Sequence, residues 1–158
     1  MLSTYVLRIT NMNYQTWEAT VPQGMKDDSL WKARAYRLSL FLGELSWDDS
    51  TKLAQDSRAK PLAGQLYRAV GSIGANIAEG YSRGTSKDRA HFYEYALGSA
   101  REARDWYYKA RHILSDSIFE DRLQLLTEII RLLLVMVPNQ RGTQIREEAA
   151  SYQVDSAE

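Results

Sequence analysis

Ser72, Asn76 and Glu79 are spaced 4 and 3 apart, which places an amide and a carboxylate on one stripe of a helix beside apolar residues. With an arginine brought from elsewhere, that stripe could bind or polarise a small ligand. The alternative is structural: Asn76 fixes helix register through a buried hydrogen bond, and Glu79 receives an arginine or caps the next loop. The structural role is the expected one. Further on, Arg101, Arg104, Tyr108 and Arg111 follow at spacings of 3, 4 and 3, offset from the apolar residues of their helix. Asp105 lies i+4 from Arg101 and also faces Lys109, whereas Arg104 and Arg111 have no acid at i±3 or i±4. Arginines without acids can hold phosphates, and an exposed tyrosine among them can stack a base. Against this stands a solvated face, or arginines paired with acids of another helix or subunit. Arg83, Lys87 and Arg89 extend the basic character to the start of the same helix, where free amides suit an anion.

A metal is tested by Asp88 and His91, which have the D-x-x-H spacing of di-iron bundles. Such a site needs a second pair and two more carboxylates. The only other histidine, His112, follows Lys109 at that spacing, so no metal is expected. Cysteine is absent from the sequence, which removes disulfides, thiolate ligands and cysteine nucleophiles. No phosphate loop, dinucleotide fingerprint or nucleophile motif occurs, and neither a catalytic residue nor a cofactor is expected.

The 158 residues carry 44% apolar residues, enough for one domain with a sizeable core. The formal net charge is +0, but residues 29–141 hold 17 Lys and Arg against 13 Asp and Glu, so a mildly basic body has acidic ends. That balance permits an anionic partner without demanding one. MLSTYVLRITN lacks the apolar core of a secretory signal and no later run approaches a membrane span, so a cytoplasmic protein with no membrane partner is expected.

Helical periodicity organises the chain. Asn13 can cap a short turn through Trp17, which Pro22 and Gly24 break. From an N-cap at Ser29, Trp31, Ala35, Leu38, Leu42 and Leu45 form the seam of a first long helix over residues 29–46. The polar stretch 48–57 reads as a short helix or bent limb, with a break just before Pro61. Leu62, Leu66, Ala69, Ile73 and Ile77 form a second seam, ended by Gly80 in a left-handed cap. The third long helix starts at Thr85 or Ser86, and its seam is Phe92, Ala96, Ser99, Ala103, Trp106, Ala110 and Ile113. Ser117 with Glu120 reads as a capping box for a fourth helix, which Pro138 ends. Small residues, Gly71, Gly74, Ala75 and Ala78 on the second helix and Ala96, Gly98, Ala100 and Ala103 on the third, predict that these two backbones pack closely. Residues 129–137, IIRLLLVMV, are apolar around most of the helix, more than one bundle can bury. Ile129, Leu133, Val135 and Met136 are therefore expected in a subunit interface, unless Tyr14 and Trp17 cover them.

The blocks QLYRAVGSIGANIAEGYSRG, residues 65–84, and FYEYALGSAREAR, residues 92–104, resemble the bacterial four-helix-bundle family named after the protein encoded in intervening sequences of large-subunit ribosomal RNA genes. The likeness extends with weaker agreement over residues 29–137. The family includes accessory proteins of diversity-generating retroelements. The resemblance therefore implies a pentameric bundle that associates with a reverse transcriptase and nucleic acid.

The sequence thus predicts an all-α, antiparallel up-and-down four-helix bundle over residues 29–137, which self-associates. Residues 1–28 form an N-terminal extension and 138–158 a polar, mobile tail. The expected function is a non-enzymatic scaffold for RNA or a ribonucleoprotein. Its alternatives are a protein-binding adaptor without nucleic acid, the reverse-transcriptase accessory role, and an enzyme built on Asn76 and Glu79.

Overall fold

The computed structural model describes residues 12–155, and the side chains of residues 12–140. Its described residues are helical with no strand. Two short helices, α1 (Tyr14–Thr20) and α2 (Gln23–Lys26), and a 3₁₀ turn (Ser29–Lys32) precede four long helices. These are α3 (Arg34–Gln55), α4 (Lys60–Tyr81), α5 (Ser86–Ala110) and α6 (Asp116–Asp155). Each long helix packs along the next, and α3 also touches α6, so one core lies among them.

The apolar seams of α3 and α4 are where periodicity puts them. Ala35, Leu38, Leu42 and Leu45 are buried from α3, and Leu66, Ala69, Ile73 and Ile77 from α4. The start of α3 differs from expectation. Asp28 caps the 3₁₀ turn by accepting from the Leu30 amide at 2.8 Å, so Ser29 lies inside that turn and α3 begins at Arg34. It then runs unbroken through the polar stretch, because Asp49 is buried and paired across the bundle. Asp56 ends that run, and Pro61 occupies the first turn of α4, where its missing amide costs nothing.

The core face of α5 is rotated by one residue from the expected seam. Tyr93, Ala96, Ala100, Ala103, Tyr107 and Ala110 are buried, as is Leu114 just beyond the helix, while Phe92 is half-buried and Trp106 packs against the core. Gly80 does not form a left-handed cap: no described residue has positive φ, and α4 continues to Tyr81. Its glycine is required by packing instead. A Cβ there would lie 2.8 Å from the Tyr93 ring and 3.0 Å from the Phe92 Cβ, so α4 and α5 approach closely at this point.

The other expected contacts between small residues fall differently. A Cβ on Gly74 would lie 2.8 Å from Ser39 Oγ, which makes Gly74 a contact of α4 with α3 rather than with α5. Gly71 and Gly98 face open space, so neither is a packing residue within this chain. At the start of α6, Ser115 accepts from the Ile118 amide at 3.3 Å; Ser115 is the cap, and Ser117 lies within the helix. Pro138 does not end α6. A proline removes one intrahelical bond and crowds the preceding turn, but the turns before it are anchored by Ile130 and Leu133 in the core. The helix therefore crosses the position where the tail was expected to begin.

Trp17 makes the N-terminal segment part of the packed structure. Asn13 caps α1 through the Thr16 amide at 2.9 Å, as its position predicts. Trp17 is only 5% exposed and forms a second cluster with Phe41 and Leu45, flanked by Tyr14 and Trp31. Burying such a side chain contributes on the order of 2–3 kcal/mol. The segment covers α3, with Leu125 of α6 at its margin, and Tyr14 also packs against the core cluster that holds Ile129 and Leu133.

Candidate functional site

The basic face of α5 consists of three arginines in two different situations. Arg111 is engaged: its Nη1 donates to the Tyr108 carbonyl at 2.7 Å and its guanidinium lies 3.9 Å above the Tyr108 ring. Carbonyls near a helix C-terminus lack amide partners and carry partial negative charge, so an arginine is drawn there. Tyr108 is 55% exposed, but Arg111 takes one face of its ring and Phe119 stands at its edge, 6.3 Å away between centroids. Asp105 pairs with Lys109, not with Arg101. An acid N-terminal to its base by four residues is the favoured order on a helix, and Arg101 stands in the reverse order. Exposed Arg101 and half-buried Arg104, one turn apart, have no acid within ion-pair distance among the described residues.

The loop before α5 is less suited to an anion than its composition implies. Arg83 pairs with Glu79 and lies 4.6 Å from the centroid of the Phe92 ring. Arg89 donates to the Arg83 carbonyl at 2.8 Å. Thr85 accepts from the Asp88 amide at 3.1 Å and donates to the Asp88 carboxylate at 2.8 Å, so the helix start already holds a carboxylate. Exposed Lys87 meets neither an acid nor a backbone carbonyl among the described residues, and Arg89 meets only the carbonyl.

Asn76 and Glu79 take local roles. Asn76 Nδ2 donates to the Ser72 carbonyl at 2.8 Å within α4, so its bond braces one helix and joins no second one. Glu79, half exposed, receives Arg83. His91 hydrogen-bonds Tyr95 at 2.7 Å, and no group of three or more potential metal ligands is placed to hold an ion among the described residues. On α6, Ile129 and Leu133 are fully buried in the core of their own chain, and Met136 packs against that core. They are core residues because the helix turns them toward α3 and α5. Val135, 59% exposed, and its neighbour Leu134, 46% exposed, form the outward apolar surface.

The structure also assembles a site that spacing did not reveal. Arg122 Nε donates to Asp49 Oδ2 at 2.7 Å and its Nη2 to Oδ1 at 3.2 Å, while Tyr107 OH donates to Oδ2 at 2.8 Å. Asp49 is 2% exposed, and Arg122 Nη1 reaches Asp121 as well. Burial holds the Tyr107 hydroxyl well above its ordinary pKa of 10.0, reinforced by the charge and hydrogen bond of Asp49. Burial pulls the Arg122 guanidinium down, but its bonds and attraction to Asp49 and its neighbours more than compensate, so its pKa is raised. Beside them burial raises the Asp48 carboxyl, followed by the Asp49 charge. Asp48, Asp49, Asp121 and Arg122 line a cleft of about 820 Å³ bounded by Tyr14, Phe41 and the start of α6. Arg122 has no donor nitrogen without a carboxylate, so the cluster ties α3, α5 and α6 together rather than awaiting an anion.

With this geometry in view, the sequence matches the family described as 23S rRNA-intervening sequence protein over residues 32–134. The chain belongs to that family. A solved structure from the S23 ribosomal protein family of Bacteroides thetaiotaomicron, itself of unknown function, has the same fold with a TM-score of 0.62. It is 23% identical and covers 65% of this chain and 97% of its own. A comparison with curated proteins gives no match. The family match begins in the 3₁₀ turn and ends before Pro138, so α1 and its Trp17 contact lie outside it, whereas Asp49, Tyr107 and Arg122 all lie within. Among the described residues no helix is long and apolar enough to cross a membrane.

Proposed function

We propose that the protein is a non-enzymatic, cytoplasmic scaffold that binds RNA or a ribonucleoprotein, built as an antiparallel up-and-down four-helix bundle that associates with further copies of itself. The observation that carries the RNA reading is the pair Arg101 and Arg104. Among the described residues Arg34, Arg37, Arg58, Arg68, Arg83 and Arg122 each meet an acid, and Arg89 and Arg111 each meet a backbone carbonyl. Arg101 and Arg104 keep guanidinium donors open on one face of α5, where phosphate oxygens can take them. The family description, which names an rRNA intervening sequence, supports the same class of partner. The reverse-transcriptase accessory role implied by the resemblance is one case of this reading. Glu79 spends its carboxylate on Arg83, which favours a binding role over catalysis at that stripe.

Fluorescence anisotropy with a labelled single-stranded RNA tests the reading across a salt series. Binding should weaken as salt rises, and Arg101→Glu with Arg104→Glu should abolish it while the helical circular dichroism stays unchanged. Each phosphate contact contributes a slope of about −0.7 in log K against log salt for single strands, so replacing both arginines by Ala should flatten the line by roughly 1.4. No RNA binding even at low salt would overturn the reading.

A further inference from the structure

We infer that the outer groove between α3 and α4 receives the α6 surface of a second copy of this chain, in a head-to-tail contact. The inference rests on the self-association proposed above and names the surfaces that meet. The groove has a volume of about 750 Å³. Ser39 and Gly74, which meet closely between α3 and α4, form part of its floor, and Trp47 and Tyr67 stand at one end. These two aromatic side chains are 60% and 44% exposed, with ring centroids 5.7 Å apart. Large aromatics standing together beside a concavity are unusual on a surface meant only for water, and they are the residue types that anchor interfaces.

Gly43 and Gly71 also line the groove, and nothing lies within 4 Å of where their Cβ atoms would be. A glycine inside a helix costs roughly 0.5–1 kcal/mol relative to alanine, and packing within this chain does not require either one. A partner backbone or bulky side chain entering the groove does. Glu44 lines the same groove and meets no cation among the described residues.

The same chain carries a surface of the opposite shape and charge. Arg131, Leu134 and Val135, at i, i+3 and i+4, share one side of α6, which gives two exposed apolar side chains beside an arginine. Arg131 meets no acid among the described residues. Knob and groove therefore match in three respects: bulk against small residues, apolar against aromatic, and Arg131 against Glu44. Because the two surfaces sit on different helices, each copy offers one of each. The contact is heterologous, and its repetition closes a ring or extends a chain of subunits.

Light scattering on the full chain, with two variants and their mixture, tests this. Gly71→Trp fills the groove without touching the core, since no atom lies near its Cβ, and Val135→Glu alters an exposed knob. Circular dichroism confirms that both stay folded. The wild type should be an oligomer, and each variant should weaken subunit association by roughly 30-fold or more, the loss of a central anchor. Mixed one to one, the two variants should pair as a heterodimer, because the first keeps its knob and the second its groove. A monomeric wild type overturns both this inference and the self-association beneath it. An oligomeric wild type whose variants also stay oligomeric, or whose monomeric variants fail to pair, overturns only the assignment of surfaces.

Discussion

Arg122 leaves only 11% of its side chain accessible and contacts two carboxylates, whereas Arg101 and Arg104 meet none among the described residues. All three lie on long helices within the stretch that matches the family. The difference teaches that an arginine's contribution depends on what its removal strands. At Arg122 it strands a carboxylate shut away from water. On α5 it strands nothing in the folded chain, so whatever those arginines contribute must come from a partner.

The contrast is tested first where the effect is largest. Arg122→Leu should destabilise the protein by about 3–5 kcal/mol, since it leaves the Asp49 charge buried with the Tyr107 hydroxyl as its remaining partner. Urea unfolding followed by circular dichroism would show the midpoint fall at nearly constant slope. A loss below about 1 kcal/mol would mean that water reaches Asp49 and that the cluster is not a buried tie.

Gly80 and Gly71, on the same helix, sharpen the comparison by removing charge from it. Gly80→Ala should cost about 1–3 kcal/mol, because the new methyl meets Tyr93 and Phe92 and the helices must shift. Gly71→Ala has open space and should instead stabilise by roughly 0.5–1 kcal/mol through helix propensity. Equal effects at the two positions would refute the close approach of α4 and α5 at Gly80.

Tyr107 carries the comparison into pH. Its folded pKa is raised, so folded and unfolded chains are both protonated below 10 and its contribution is complete there. Above that pH the unfolded tyrosine ionises while the folded one does not, and stability falls as pH rises. Tyr107→Phe should lower stability at neutral pH by about 1–2 kcal/mol, the loss of one hydrogen bond to a charged group, and should flatten the alkaline decline. An alkaline limb identical in the two proteins would assign that decline to other tyrosines, such as Tyr93, whose hydroxyl burial also raises.

How much of this was legible depended on whether a signal was local. The seams of α3 and α4 were readable because leucine and isoleucine recur there with polar residues between. On α5 the alanines at 96, 103 and 110 fit the expected seam and the observed one alike. The choice then fell to aromatic pairs, Phe92 or Tyr93 and Trp106 or Tyr107, and the tyrosines are inside because Tyr107 has a buried acceptor in Asp49. That acceptor comes from a helix that was expected to stop at residue 46. Carried past it, the stripe of Leu38, Leu42 and Leu45 reaches Asp49 and then Leu53 at spacings of 4 and 4, so an acid on the apolar stripe was the available clue. Its partner Arg122 is 73 residues away, a distance that periodicity cannot bridge. The basic face of α5 was legible as composition. Which of its arginines stay open was not, because Arg111 turns onto Tyr108 and Lys109 takes Asp105 through side-chain geometry.

The smallest expected effect lies on that face. Arg101→Ala and Arg104→Ala, singly or together, should change unfolding free energy by no more than about 0.5 kcal/mol, the range for surface substitutions that break no partner contact. Because Arg104 is half-buried and Arg101 exposed, truncating Arg104 should be the costlier of the two. Comparing Arg104→Ala with Arg104→Met separates the stem from the charge. If Met restores wild-type stability, the guanidinium is idle in the folded monomer and available to an outside phosphate. If Met fails where Arg succeeds, the charge is already engaged within the chain, and Arg104 belongs with Arg122.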